Sequence, residues 1–137
     1  MEAVITSNPI KLLHEMRSKV GEPTTTGLDD SELSFFLERD NKLAQAIEDA
    51  HAALHGIERE FGSNYIARAE LDLITDLQSG FVNFYNPATV NPYVALSARG
   101  PWIVTSHGAV VHDNGGYGML GSGHGPSEII DAMSDNW

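Results

Sequence analysis

Apolar residues recur at three- and four-residue steps through the N-terminal half of the chain, a spacing typical of amphipathic helices. The first such stripe consists of Ile10, Leu13, Met16 and Val20. Ser7 or Asn8 can cap this helix, and Pro9 suits its first turn, where the amide hydrogen that proline lacks has no helical partner. Residues 21–27 contain two glycines and a proline, which end the helix. We therefore expect an N-terminal helix and linker over residues 1–27.

The next segment carries the longest apolar stripe of the chain. Asp29, Asp30 and Ser31 offer side-chain caps and negative charge at a helix start. The stripe consists of Leu33, Phe36, Leu37, Leu43, Ala44, Ile47, Ala50, Leu54, Ile57 and Phe61. This spacing predicts one continuous helix of about thirty residues, or about eight turns.

Residues 62–64 read Gly-Ser-Asn and interrupt the long stripe. A third helical pattern follows and ends near Ser79 and Gly80. Its apolar face consists of Ile66, Ala69, Leu73 and Leu77. Together with the long helix it predicts a helical hairpin over residues 28–80.

The pattern changes in residues 81–137. Residues 81–93 hold four aromatic residues and two prolines, which predict an irregular connector. Trp102–Thr105 and Ala109–His112 predict a β-hairpin. Residues 115–125 contain six glycines, with both ends counted, and a short helix is expected from Ser127 to Met133. The chain is therefore predicted to be α+β: N-terminal helices with a long helical hairpin, then a small β-hairpin, a glycine-rich loop and a short C-terminal helix.

Composition narrows the classes of function. The formal net charge is −11 with eight Lys and Arg residues, which argues against binding nucleic acid or an anionic membrane. There are no cysteines, which excludes thiolate metal sites and suits a reducing compartment. No apolar run approaches the roughly 20 residues that span a bilayer. The start of the chain does not have the pattern of a signal peptide. These features favour a cytoplasmic protein.

The glycine-rich region lies between a predicted strand and a predicted helix. This layout often places a ligand against backbone N–H groups. A simpler interpretation is a turn that needs positive φ, with Asp113 capping it and His124 bonding to a backbone carbonyl.

The residues of this region resemble the N-terminal part of class III aminotransferases, fold type I enzymes that depend on pyridoxal phosphate. The resemblance covers about residues 91–133. It is carried by Gly108, Asp113, Gly116, Tyr117, Gly123, His124 and Pro126, with residues 99–104 entering the strand pair and 128–133 in the helix.

The resemblance implies a pocket-bordering role for residues of the loop. The pocket-lining candidates are Tyr117, Gly118, Met119, Gly121 and His124. The complete enzyme would transfer an amino group between an amino donor and an oxo acid with pyridoxal phosphate as cofactor. In the family this region packs across a dimer. A homodimer is therefore expected, and the aromatic connector suits it because its rings need cover.

Two departures from the family limit what the resemblance implies. Five residues, Gly118 to Ser122, separate Tyr117 from Gly123; most family members have a longer segment there, so the substrate class does not carry over. The family's phosphate-binding loop, its aspartate for the pyridine nitrogen and its cofactor-holding lysine lie downstream of the last helix. The lysines here are Lys11, Lys19 and Lys42, all before the resemblance begins. We therefore assign no catalytic residue and expect no catalysis by this chain alone.

Two alternatives come from other features. The long amphipathic helix and the aromatic connector would suit a non-catalytic dimerisation module. Glu48, His51, His55 and Glu58 have spacings that hold metals in helical proteins. Because these residues are offset from the apolar stripe, a solvent-exposed polar face is the simpler interpretation of them.

Overall fold

The computed structural model describes residues 8–80, 86, 89, 92–113 and 121–135. Within this part of the chain, helices and a small antiparallel sheet confirm the predicted α+β class. The helices are α1 (Pro9–Lys19), α2 (Asp30–Leu37), α3 (Asn41–Phe61), α4 (Ser63–Ile66), α5 (Glu70–Gln78) and α6 (Ser127–Ser134). The strands are β1 (Ala95–Arg99), β2 (Trp102–Thr105) and β3 (Val110–His112). No helix of the described residues has the length and apolar character needed to cross a membrane.

Helix α1 forms as its sequence predicts. The side chain of Asn8 accepts a hydrogen bond from the backbone N–H of Ile10 at 3.0 Å, and Pro9 occupies the first turn. Leu13 and Met16 are fully buried. The linker that follows contacts the sheet: the N–H of Leu28 donates to Val110 O at 2.9 Å. The neighbouring Gly27 lies so close that an added Cβ would sit 2.5 Å from Val110 N.

The prediction of one long continuous helix was wrong. Residues 38–40 separate α2 from α3. The N–H groups of Arg39 and Asp40 both donate to Phe36 O, at 2.9 and 2.8 Å, and this turn ends α2. The side chain of Asp40 then starts a new helix by accepting from Lys42 N at 2.9 Å. The break redirects the chain, so that the apolar faces of α2 and α3 both reach the core.

The third predicted helix is also two helices. Residues 67–69 separate α4 from α5. The N–H of Glu70, at the start of α5, donates to Glu22 O in the linker at 2.9 Å. Ile66 and Leu73 are buried as the pattern predicts, whereas Leu77 is exposed.

The sheet contains the predicted hairpin and one further strand. Strands β2 and β3 pair antiparallel, with Trp102 opposite His112, and Gly108 adopts φ 72° in the turn between them. Strand β1, which the pattern did not predict, pairs with β2 on the other side to give the order β1-β2-β3. A register shift lies between Ala95 and Ser97.

The core lies where α3 packs against α1 on one side and against β1 and β2 on the other. Burying these apolar side chains is the main favourable contribution to folding. The core members are Leu13, Met16, Leu33, Leu43, Ala46, Ile47, Ala50, Leu54, Ile66, Trp102, Val104 and Val110.

Trp102 joins the sheet to the helices through a side-chain hydrogen bond. Its indole is buried, packs against Phe36 with ring centroids 5.1 Å apart, and donates from Nε1 to Asp40 Oδ2 at 2.8 Å. Asp40 Oδ1 caps α3 through Lys42 N. The carboxylate of Asp40 therefore accepts hydrogen bonds from the first turn of α3 and from a buried indole at the same time.

Substitutions at Asp40 separate these two contributions. Asp40→Asn keeps one acceptor oxygen and so serves either the helix cap or the indole, and we expect a loss of about 1 kcal/mol in the free energy of unfolding. Asp40→Ala removes both acceptors, and about 2 to 3 kcal/mol is expected. Urea unfolding followed by tryptophan fluorescence measures both. Equal stability of Asp40→Ala and the wild type would contradict this assignment.

Glu70 fixes the linker to α5. The carboxylate is buried and accepts four hydrogen bonds from Thr24 and Thr25, with the two backbone N–H groups at 2.7 and 2.8 Å from Oε2. Burial alone would raise the pKa of Glu70, but the bonds from the backbone of Thr25 and Thr24 and from the Thr25 hydroxyl outweigh burial and lower it.

The pH dependence of stability follows from this lowered pKa. In the unfolded chain Glu70 takes up a proton near its ordinary pKa of 4.5, whereas in the folded chain it stays ionised to lower pH. Its contribution is therefore complete above that value and is lost as the pH falls below it. We expect Glu70→Gln to be about 1 to 3 kcal/mol less stable than the wild type at pH 7. The difference should shrink as the pH is lowered towards 3, measured by urea unfolding. A difference that is constant with pH would contradict the assignment.

Candidate functional site

The glycine-rich segment returns to the start of the β2–β3 hairpin. The N–H of His124 donates to Gly100 O at 2.8 Å, and the N–H of Gly100 donates to His124 O at 2.9 Å. These two bonds form an isolated antiparallel bridge between residues far apart in sequence. The ring of His124 also contacts Asp113, with 2.9 Å between Nε2 and Oδ2. The segment is therefore held by its backbone and by a side-chain hydrogen bond.

One glycine of the segment is required by this close approach. Gly123 adopts φ 73°, and an added Cβ would lie 2.8 Å from the Cα of Gly100. Gly121, two residues earlier, has open space around the position of a Cβ. The simpler interpretation, a turn that needs positive φ, therefore holds at Gly123. The predicted bond from His124 to a turn carbonyl is instead made by its backbone, while its ring meets Asp113.

A cavity of about 280 Å³ lies beside the bridge. Two of the predicted pocket residues, Gly121 and His124, are in its wall. Among the described residues, the lining consists of Lys42, Gly100, Pro101, Asp113, Gly121, Ser122, Gly123 and His124. The other predicted pocket residues, Tyr117, Gly118 and Met119, lie outside the described residues.

Sequence reasoning missed Lys42 as a neighbour of this cavity. Lys42 lies in the first turn of α3, and its aliphatic chain covers Gly100: a Cβ on Gly100 would lie 2.8 Å from Lys42 Cδ. The only signal in the sequence was the position of Lys42 closely after Asp40, the residue that contacts Trp102 beside Gly100. Because spacing along the chain does not predict the Asp40–Trp102 contact, the sequence alone could not place Lys42 near the cavity.

The described residues of the cavity do not fit pyridoxal phosphate by themselves. Asp113 is held by His124 at 2.9 Å, and its position is not that of the family's aspartate for the pyridine nitrogen. Lys42 precedes the region of resemblance, so no residue of the family's cofactor-holding set maps onto this cavity. The wall formed by Gly121 and His124 can border a site but cannot supply the cofactor's covalent anchor.

The histidines proposed as metal ligands face a neighbouring helix rather than open solvent. Nε2 of His51 lies 3.0 Å from Glu15 Oε2, and Nε2 of His55 lies 3.1 Å from Glu15 Oε1. Hydrogen bonding from His51 lowers the pKa of Glu15, with His55 adding to the effect. Glu58 contacts the other ring nitrogen of His55, while Glu48 is not a member of the cluster. Sequence reasoning missed Glu15 because it belongs to another helix.

No family model, curated protein or solved structure matches this chain.

The close approach of Gly123 to Gly100 gives a testable result. Gly123→Ala places a methyl group against backbone at positive φ, and we expect a loss of about 2 kcal/mol or more together with faster hydrogen exchange at the Gly100 N–H. Gly121→Ala is the matched control, because it adds the same methyl group in open space, and its effect should stay within about 0.5 kcal/mol. Urea unfolding and amide exchange measure both variants, and equal behaviour of the two would contradict the packing described.

Proposed function

We propose that this chain is the N-terminal segment of a class III-like aminotransferase. The complete protein transfers an amino group from an amino donor to an oxo acid and uses pyridoxal phosphate, while this segment is not catalytic alone. The single observation that carries the proposal is the meeting of Gly100, Asp113, Gly123 and His124 around one bridge. These are residues on which the resemblance to the family rests.

Helix α6 adds independent support. It has no buried residue, and its apolar side chains Ile129, Ile130 and Met133 are exposed, the last by 78%. Such a face is typical of a helix that packs against a further surface. A larger enzyme fold that follows this segment supplies a surface of that kind.

The role assigned to these residues is to shape one border of the substrate pocket. His124 and Asp113 hold the segment against Gly100. We assign the border itself to Tyr117, Gly118, Met119, Gly121 and His124. The downstream part of the protein holds the cofactor, which supplies the electron-accepting ring for amino transfer. A homodimer and a cytoplasmic location belong to the same proposal. The amino donor and the oxo acid are its small-molecule partners, with neither nucleic acid nor a membrane among them.

The dimerisation-module alternative is less well supported by the packing. Its proposed interface was the long amphipathic helix together with the aromatic connector, most of which lies outside the described residues. Most apolar side chains of α3 are buried inside this chain, while Phe61 at its end is exposed. The buried set is Leu43, Ala44, Ala46, Ile47, Ala50 and Leu54. A second copy of the chain therefore cannot use this face without unfolding the core.

The test uses the protein encoded by the whole reading frame, extended past Trp137, and the 137-residue chain as its control. Both are incubated with pyridoxal phosphate and reduced with borohydride, and the modified lysine is identified by peptide mapping. We expect one stoichiometric modification in the longer protein, at a lysine downstream of Trp137, and amino transfer from an amino acid to a 2-oxo acid. The control should show no specific modification.

Two results would overturn the proposal. Specific modification of Lys11, Lys19 or Lys42 would mean that the active site has been mapped to the wrong residues. A reading frame whose product binds no pyridoxal phosphate would remove the aminotransferase assignment, and a stable dimer of that product would favour the interaction module.

A further inference from the structure

A second cluster of ligand-type side chains lies on the helical side of the molecule. Glu15 projects from α1, and His51 and His55 project from one face of α3, one turn apart. The two Nε2 atoms are 3.1 Å from each other, and each is 3.0 to 3.1 Å from an oxygen of Glu15. His51 and His55 contact different oxygens of Glu15, and one ligand atom from each of these three side chains lies within 4.8 Å of the other two.

These separations match the spacing of ligand atoms around a small metal ion. With bonds of about 2.0 to 2.1 Å, neighbouring ligands in a tetrahedral zinc site lie about 3.3 Å apart. The Nε2–Nε2 distance of 3.1 Å is within a few tenths of an ångström of that edge. The two Glu15 contacts end on different oxygens, so binding through one of these oxygens requires a small rotation of the carboxylate. Two imidazoles at i and i+4 with one carboxylate are a recurrent zinc-binding set.

The surroundings of His55 prepare its Nε2 atom for coordination. Its Nδ1 atom lies 3.4 Å from Glu58 Oε2, so a metal ion that takes the lone pair of Nε2 leaves the ring proton on Nδ1, facing this carboxylate. Glu58 is itself held by Lys19 Nζ at 2.8 Å and by the Ser63 hydroxyl at 3.0 Å. A carboxylate behind a histidine ligand is the usual outer support of such sites.

Access and charge balance also suit a cation. The side chains of His51, His55 and Glu15 are 20%, 33% and 45% exposed, so an ion can reach them from solvent and water can complete the coordination. The positive charge of Lys19 Nζ lies 3.9 Å from Glu15 Oε1 and repels a cation, but its shorter contact is with Glu58. Its presence lowers the affinity without blocking the ligand atoms.

We propose that Glu15, His51 and His55 form a site for a divalent transition metal ion, with zinc as the preferred occupant, and that binding links α1 to α3. Glu58 supports the site from outside. The inference is independent of the proposed aminotransferase function. It replaces Glu48 of the sequence-based hypothesis with Glu15, and it moves Glu58 from ligand to support.

The test is calorimetric titration of the metal-free chain with zinc chloride near neutral pH, with thermal unfolding in parallel. We expect one equivalent of zinc to bind and the unfolding midpoint to rise with zinc concentration, because the ion binds the folded chain. His51→Ala, His55→Ala and Glu15→Gln should each weaken zinc binding at least about tenfold. Circular dichroism confirms that each variant is folded.

Matched controls separate this site from general surface binding. Glu48→Gln removes an equivalent carboxylate from α3, and His14→Ala removes a histidine from α1, and both should bind zinc as the wild type does. Should an alanine variant not fold, titration of the wild type with cobalt(II) replaces it, with tetrahedral visible absorption expected. The proposal is overturned if the wild type binds no zinc or if Glu15→Gln and Glu48→Gln weaken binding equally.

Discussion

The carboxylate of Asp40 is the contact on which the arrangement of helices and sheet depends. One oxygen starts α3, which supplies five of the twelve core members named above, and the other accepts the indole N–H of Trp102 at the start of β2. Gly100 and Pro101 directly precede Trp102, so the bridge to His124 is positioned by the same contact. Lys42 follows Asp40 closely and thereby comes to cover Gly100. A cap and a buried hydrogen bond together fix where the candidate site lies.

Local signals predicted the elements, and tertiary contacts decided where they break. The cap by Asn8, the β2–β3 hairpin and α6 follow from short-range rules that the structure confirms. The prediction of one long helix was wrong because the apolar stripe has a gap between Leu37 and Leu43. Periodicity alone does not show whether a helix continues across such a gap. Strand β1 was missed because its pairing with β2 depends on residues beyond its own pattern. Helix periodicity shows which residues share one face of a helix. It says little about breaks in the helix that are stabilised by contacts with residues distant in sequence.

The sites show the same division between local and distant information. The i and i+4 spacing identified His51 and His55, yet Glu15 could be found only once α1 had been placed against α3. Gly123 was noticeable in the sequence, but its need for glycine comes from Gly100, which lies far away along the chain. The contact of His124 with Asp113 likewise depends on the loop's return to the hairpin. The sequence singled out residues one at a time, and the fold showed which residues each of them contacts.

The contact between the linker and β3 has a consequence for solubility. Strand β3 is at one edge of the sheet, and the bond from Leu28 to Val110 occupies part of its outward-facing backbone. Gly27 lies against the same strand residue, closer than a residue with a side chain could approach. Exposed strand edges recruit strands from other molecules and so start aggregation. By laying the linker along this edge, the chain protects itself against intermolecular β-pairing at Val110.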